Sequence, residues 1–159
     1  MKIRTATMAD LAAVAAVEKA CFPPAEAATA DEFRDRLAHY AAHFWLLFDE
    51  KGDLVSFVDG MVTDERDLTD AMYAQAAMHD EKGAWQMIFG VNTLPSCRRH
   101  GYAGKLLEAA IADAAFTRNE YRKIGRRHTQ GNLQRTVEYN GTVYQCGQYQ
   151  KGNCGSKKR

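Results

Sequence analysis

Between an apolar run, Trp85 to Thr93, and an amphipathic stretch beginning at Gly101 lies the segment Arg98-Arg99-His100-Gly101-Tyr102-Ala103-Gly104-Lys105. Its R-x-x-G-x-A spacing at a strand-to-helix turn suits a backbone that must wrap closely around a ligand. Ala103, Leu106, Leu107, Ala110, Ile111 and Ala114 recur with helical period, so the helix has one buried face. Small residues let the backbone of the turn approach a ligand closely. The first turn of the new helix offers unpaired N–H groups and a partial positive charge. That combination suits a pyrophosphate.

The rest of the first 115 residues patterns clearly. Lys2-Ile3-Arg4-Thr5-Ala6 alternates as a short strand, and Leu11, Val14 and Val17 line one face of a helix from about Met8 to Ala20. Phe22-Pro23-Pro24 ends it, because proline lacks the amide donor and restricts its predecessor. Thr29-x-x-Glu32 forms a capping box for a second helix carrying Phe33, Leu37 and Tyr40. His43 to Phe48 and Leu54 to Val62 read as two strands around the polar turn Glu50–Asp53. Thr63–Gly83 is polar and acidic, a loop with some helix around Leu68–Met78. Trp85 to Thr93 reads as one buried strand. The order is strand, helix, helix, strand, strand, strand, helix.

This order, the turn, and Pro95 three residues before Arg98 resemble the GNAT superfamily of N-acetyltransferases. Phe22-Pro23-Pro24-Ala25-Glu26-Ala27 and Asp64-Glu65 with Leu68-Thr69-Asp70 look like the bacterial branch near arylalkylamine N-acetyltransferases. The resemblance covers about residues 1–115. It implies an α/β fold with a mixed central sheet flanked by helices, forming one acetyltransferase-like domain over residues 1–159. It further implies acetyl-CoA as cosubstrate, no metal, and direct attack of a small-molecule primary amine on the thioester. By position, Val91 and Thr93 would offer backbone hydrogen bonds to the pantetheine arm. Arg98, Arg99, His100, Gly101, Tyr102, Ala103, Gly104 and Lys105 would surround the pyrophosphate. Many relatives pair through their C-terminal strands, so a homodimer is a further expectation.

The proton-transfer groups do not carry over. The arylalkylamine branch uses two histidines on the central strand, and their positions here are Met87 and Phe89, neither of which accepts a proton. Substitutes near the substrate-facing loops are Glu26, His79 and Asp80, each also readable as an exposed loop residue. The tyrosine acid of a Y-x-x-x-G-F pattern has no match, since no Phe follows Phe116. A CoA-binding relative with impaired catalysis is therefore an alternative.

Charge divides the chain. Residues 1–115 hold 11 Lys/Arg against 18 Asp/Glu, and residues 116–159 hold 10 against 2. In this atypical basic C-terminal segment, Arg118 to His128 is basic where the family has an apolar strand. Two origins fit so abrupt a change, a diverged ending or an out-of-frame reading of the gene's 3′ end. Thr136 to Gln145 alternates around Asn140-Gly141, the signature of a β-hairpin at about 135–146. Arg118, Arg122, Lys123, Arg126 and Arg127 around Tyr121 and His128 could hold RNA or another polyanion. A solvated basic face is the simpler reading, and no nucleic-acid partner is expected. No apolar run approaches the roughly 20 residues that span a bilayer, so no membrane partner is expected. Cys21, Cys97, Cys146 and Cys154 lack C-x-x-C spacing and read as reduced thiols, consistent with a cytoplasmic address.

Overall fold

The computed structural model describes residues 1–116, 123–124, 136–139 and 142–145. Strand β1 (Lys2–Thr5) leads through one turn of 3-10 helix (Met8–Asp10) into helix α1 (Leu11–Cys21), and α2 (Ala30–Tyr40) follows. Strands β2 (Phe44–Phe48) and β3 (Leu54–Asp59) form an antiparallel pair, and a short β4 (Val62–Thr63) follows. Helix α3 (Asp70–Ala74) precedes β5 (Trp85–Gln86), β6 (Gly90–Thr93) and the long helix α4 (Tyr102–Phe116). Three further strands are β7 (Lys123–Ile124), β8 (Thr136–Tyr139) and β9 (Thr142–Gln145).

One antiparallel sheet has the order β1-β2-β3-β6, and a second has the order β4-β5-β7 with β5 and β7 parallel. Period-2 alternation sends β2 side chains to opposite faces. Phe44 and Leu46 pack with Val14, Val17, Phe33, Leu37 and Tyr40 of α1 and α2. Trp45 and Leu47 pack with Leu106 and Ala110 of α4. Both faces of the sheet are thus covered, which is why Phe-Trp-Leu-Leu-Phe carries no polar residue. A hydrogen bond from Trp45 Nε1 to Asp113 Oδ2, 2.6 Å, pins α4 to this core.

Two strands are shorter than their apolar runs. The run Leu54–Val62 breaks at Gly60-Met61, dividing β3 from β4. Trp85–Thr93 is interrupted at Met87–Phe89, where Met87 N–H donates to Met61 O and Phe89 N–H to Asp59 O, both at 2.7 Å. The continuous strands expected from sequence are therefore corrected to broken ones. Met87, Ile88 and Phe89 are all buried, so hydrophobicity alone gives no sign of the break. The hairpin pairing is present as β8 and β9, with Val137 opposite Tyr144. Its Asn140-Gly141 turn and the basic run apart from β7 lie outside the described residues.

Helix entry is fixed by charge as well as pattern. Arg4 donates two hydrogen bonds to Asp10, at 2.8 and 2.7 Å, and the Thr7 amide and hydroxyl donate to the same carboxylate. These bonds, led by those from Arg4, hold the Asp10 carboxyl down at about 2. Its stabilising contribution is complete above its unfolded value and is lost as pH falls through 2. Asp10→Asn should therefore cost about 1 kcal/mol near neutrality, after allowing for the exposure of Arg4. Urea unfolding across pH 5 to 2 should show this difference shrinking as the pH falls.

Candidate active site

The turn after β6 is built from two left-handed residues. Pro95–Cys97 makes one turn of 3-10 helix, Arg98 is extended, and Arg99 and Gly101 have φ of +67° and +77°. For a side chain such as that of Arg99 this costs about 1–2 kcal/mol. Left-handed residues such as these turn neighbouring N–H groups to one side, the backbone arrangement from which anion-binding nests are built. Lys105 N–H donates to Gly101 O at 3.1 Å. The N–H groups of Tyr102, Ala103 and Gly104 therefore precede the first i→i−4 bond and are free of the helix ladder. A Cβ on Gly101 would meet nothing within 4 Å, so its backbone angle, not protein crowding, demands glycine.

The cations of the turn differ in placement. Arg99 and Lys105 are exposed. Arg98 folds back, its Nε donating to Thr93 O at 3.3 Å. His100 stacks on Tyr102, with ring centroids 5.5 Å apart, and its Nδ1 lies 3.1 Å from Cys97 O.

Strand β6 leads directly into this turn. It pairs with β3 in a register that sets Val91 opposite Val58 and Thr93 opposite Ser56, and Leu94 N–H donates to Val55 O. Antiparallel alternation then directs the main-chain groups of Val91 and Thr93 away from β3. β7 pairs with β5, below the break, and among the described residues no strand covers that edge of β6. One of these groups is already engaged. Thr93 O accepts from both Cys21 Sγ and Arg98 Nε, at 3.3 Å each, which narrows the sequence expectation to the Val91 groups and Thr93 N–H.

On the opposite face of the sheet, beside Gly90, a cavity of about 350 Å³ opens under the α1–α2 loop. Phe22, Phe33, Tyr73 and Phe89 give it apolar walls, and among the described residues Glu18, Glu26, Glu32, Asp59 and Asp70 line it with one cation, Arg36. Arg36 Nη1 lies 3.4 Å from Asp59 Oδ2, and Nη2 donates to Tyr73 O at 3.1 Å. Its guanidinium sits near the rings of Phe33 and Phe89, 5.3 and 5.6 Å from their centroids. Asp59 is fully enclosed, and burial pushes its carboxyl up to about 7 despite the opposing pull of Arg36. Burial also raises Glu18, against hydrogen bonds from Ala28 N–H and Asn92 Nδ2.

Of the three sequence candidates for proton transfer, Glu26 lines this cavity. Asp80 instead caps a turn, its Oδ1 accepting from Lys82 N–H at 2.8 Å. His79 lies with His43 and Glu81 in a cluster whose ligand atoms fall within 4.8 Å of one another. That cluster suits hydrogen bonding better than a metal. Val62 N–H donates to His79 Nδ1, so the ring proton sits on Nε2, which faces Glu81 Oε2 at 3.2 Å and keeps no lone pair for an ion. Sequence reasoning missed Asp59, Arg36 and Glu18. The available signal was a charge inside an apolar strand run and two charges on the apolar faces of α1 and α2.

This chain matches the Acetyltransferase (GNAT) family over residues 11–139 and belongs to that family. No curated protein matches it. Among solved structures it is similar to the GphF GNAT-like decarboxylase in complex with isobutyryl-CoA, at 27% identity and TM-score 0.68, covering 76% of this chain and 62% of that one. The loading GNATL domain of CurA from Lyngbya majuscula matches at 20% identity and TM-score 0.66, with 75% and 60% covered. The ribosomal-protein-alanine N-acetyltransferase from Brucella melitensis biovar Abortus 2308 matches at 15% identity and TM-score 0.53, with 82% of each chain covered. The chain thus spans less than two thirds of the first two structures. The mixed α/β fold and the acyltransferase family stand on these matches. Among the described residues, no helix is long and apolar enough to cross a membrane.

Proposed function

We propose that this chain transfers an acetyl group from acetyl-CoA to the primary amine of a small molecule, by direct attack on the thioester. The observation that carries the reading is the edge of β6 left uncovered among the described residues, which joins the turn at one end to the cavity at Gly90 on the other. The N–H groups around Arg99 to Gly104 would hold the pyrophosphate, with Arg99 and Lys105 adding charge. Val91 and Thr93 N–H would bond the pantetheine arm as an added strand does. The thioester would then reach the sheet beside Gly90. Among the described residues, an acceptor entering the cavity would meet five carboxylates and one guanidinium. That balance favours an ammonium, and the ring-bearing walls suit an apolar or aromatic body, in keeping with the arylalkylamine-like motifs.

A second reading rests on Arg36 and on the likeness to a GNAT-like decarboxylase. The guanidinium would receive the carboxylate of a carboxyacyl-CoA. One experiment separates the readings. Incubation of the chain with acetyl-CoA and a panel of tyramine, phenethylamine and putrescine should release free CoA thiol at a rate above hydrolysis. Carbon dioxide release from malonyl-CoA, without amine-dependent thiol release, would favour decarboxylation. Calorimetric binding of acetyl-CoA without either product would leave a CoA-binding protein and refute both.

A further inference from the structure

We infer that Asp59 is the proton acceptor for the incoming amine, and that Arg36 is the residue that positions its carboxylate. This rests on the acyl-transfer reading and supplies the base that Met87 and Phe89 cannot provide. Asp59 ends β3 and shares its register position with Gly90, the first residue of β6. A Cβ on residue 90 would stand 2.6 Å from Asp59 Oδ1, so the glycine makes room for the carboxylate over the strand. Gly90 N–H favours the ionised form of this side chain. Asp59 therefore reaches over the start of β6 from its paired side, at the wall of the cavity, between an amine in the cavity and a thioester held along the far edge of β6.

The surroundings suit a reversible proton acceptor. Arg36 approaches at 3.4 Å, a loose pairing, and its Nε has no hydrogen-bond partner among the described residues. Other titratable groups face Asp59 from each packed element. Glu18 comes from α1 and raises its proton affinity, and Tyr40 comes from α2 and is itself raised by burial and by the Asp59 charge. Asp70 and Tyr73 of α3 complete the wall, with Glu26 and Glu32 toward the rim. Burial among these groups holds the Asp59 carboxyl near neutrality, where accepting and releasing a proton are both easy.

The step balances without a further reagent. The ammonium gives one proton to the Asp59 carboxylate. The neutral amine attacks the thioester carbonyl, the C–N bond forms and the C–S bond breaks. The second amine proton leaves on the CoA sulfur as the thiol, and Asp59 returns its proton to water.

The test is Asp59→Asn with acetyl-CoA and the amine of the panel that the wild-type chain turns over fastest. The expected result is a fall in kcat/KM of at least about 100-fold. The acidic limb near pH 7 should disappear, and the Kd for acetyl-CoA, measured by calorimetry, should stay within about threefold. Retained activity with an unchanged acidic limb would overturn the assignment while leaving the acyl-transfer reading intact. Absence of wild-type turnover with every amine would overturn both. A carbon-13 NMR titration of the wild-type aspartates keeps the idea testable if the variant does not fold. One carboxyl should titrate near pH 7 and shift when the amine is added. A buried aspartate that neither titrates there nor responds to the amine would also overturn it.

Discussion

Gly101→Val should raise the Kd for acetyl-CoA by at least about 30-fold while leaving the fold in place. Residue 101 has φ of +77°, and a β-branched side chain in that region costs about 1–2 kcal/mol. Space within the protein is not the obstacle, since a Cβ there meets nothing within 4 Å. The strain therefore falls on the turn itself, rotating the N–H groups that would line the pyrophosphate. For a chain of this size the melting temperature should drop by only about 2–6 °C. Calorimetry and a thermal melt on one preparation check both halves. Unchanged affinity for acetyl-CoA would remove the turn from the binding site.

Arg36→Met should show a stability loss that depends on pH. In the native chain Asp59 carries a carboxyl raised to about 7, so its favourable contribution is complete below pH 4 and fades as pH rises through 7. At pH 8 the Arg36 guanidinium offsets the buried charge. Removing it should cost roughly 3 kcal/mol, because breaking one side of a buried pair leaves the other uncompensated. At pH 5 Asp59 is protonated, and the same substitution should cost far less. Glu18 strengthens the trend, since Arg36 also favours its ionised form. Urea unfolding at the two pH values measures the difference, and in an Asp59→Asn background the difference caused by Arg36→Met should shrink to the share carried by Glu18. A loss equal at both values would mean that the pair does not share a charge.

How far the chain could be read in advance depended on whether a residue's role showed in its neighbours along the sequence. Thr29 and Glu32 sit three apart and cap α2 as their spacing implies, with Thr29 N–H 2.6 Å from Glu32 Oε2. Val14, Val17, Phe33, Leu37 and Tyr40 are buried because helical period put them on one face. The turn at Arg98–Lys105 was legible for the same local reason. The breaks at Gly60 and at Met87–Phe89 were not, since each depends on the backbone of the other strand. Asp59, Arg36 and Glu18 were harder still. Arg36 and Glu18 lie 23 and 41 residues from Asp59 along the chain, and only the packing of α1 and α2 on β3 brings the three charges together. His79 and Asp80 show the converse, chemically capable side chains spent on local hydrogen bonds.

The Thr93 carbonyl is where three parts of the molecule are tied together. Cys21 is the last residue of α1, immediately before the loop that roofs the cavity, and Arg98 opens the turn. Both hang from one oxygen atom. The roof and the turn are thus geared rather than independent, and a displacement of either end of this yoke reaches the other through two hydrogen bonds. A bulky group attached to the Cys21 thiol would consequently disturb Arg98 without touching it.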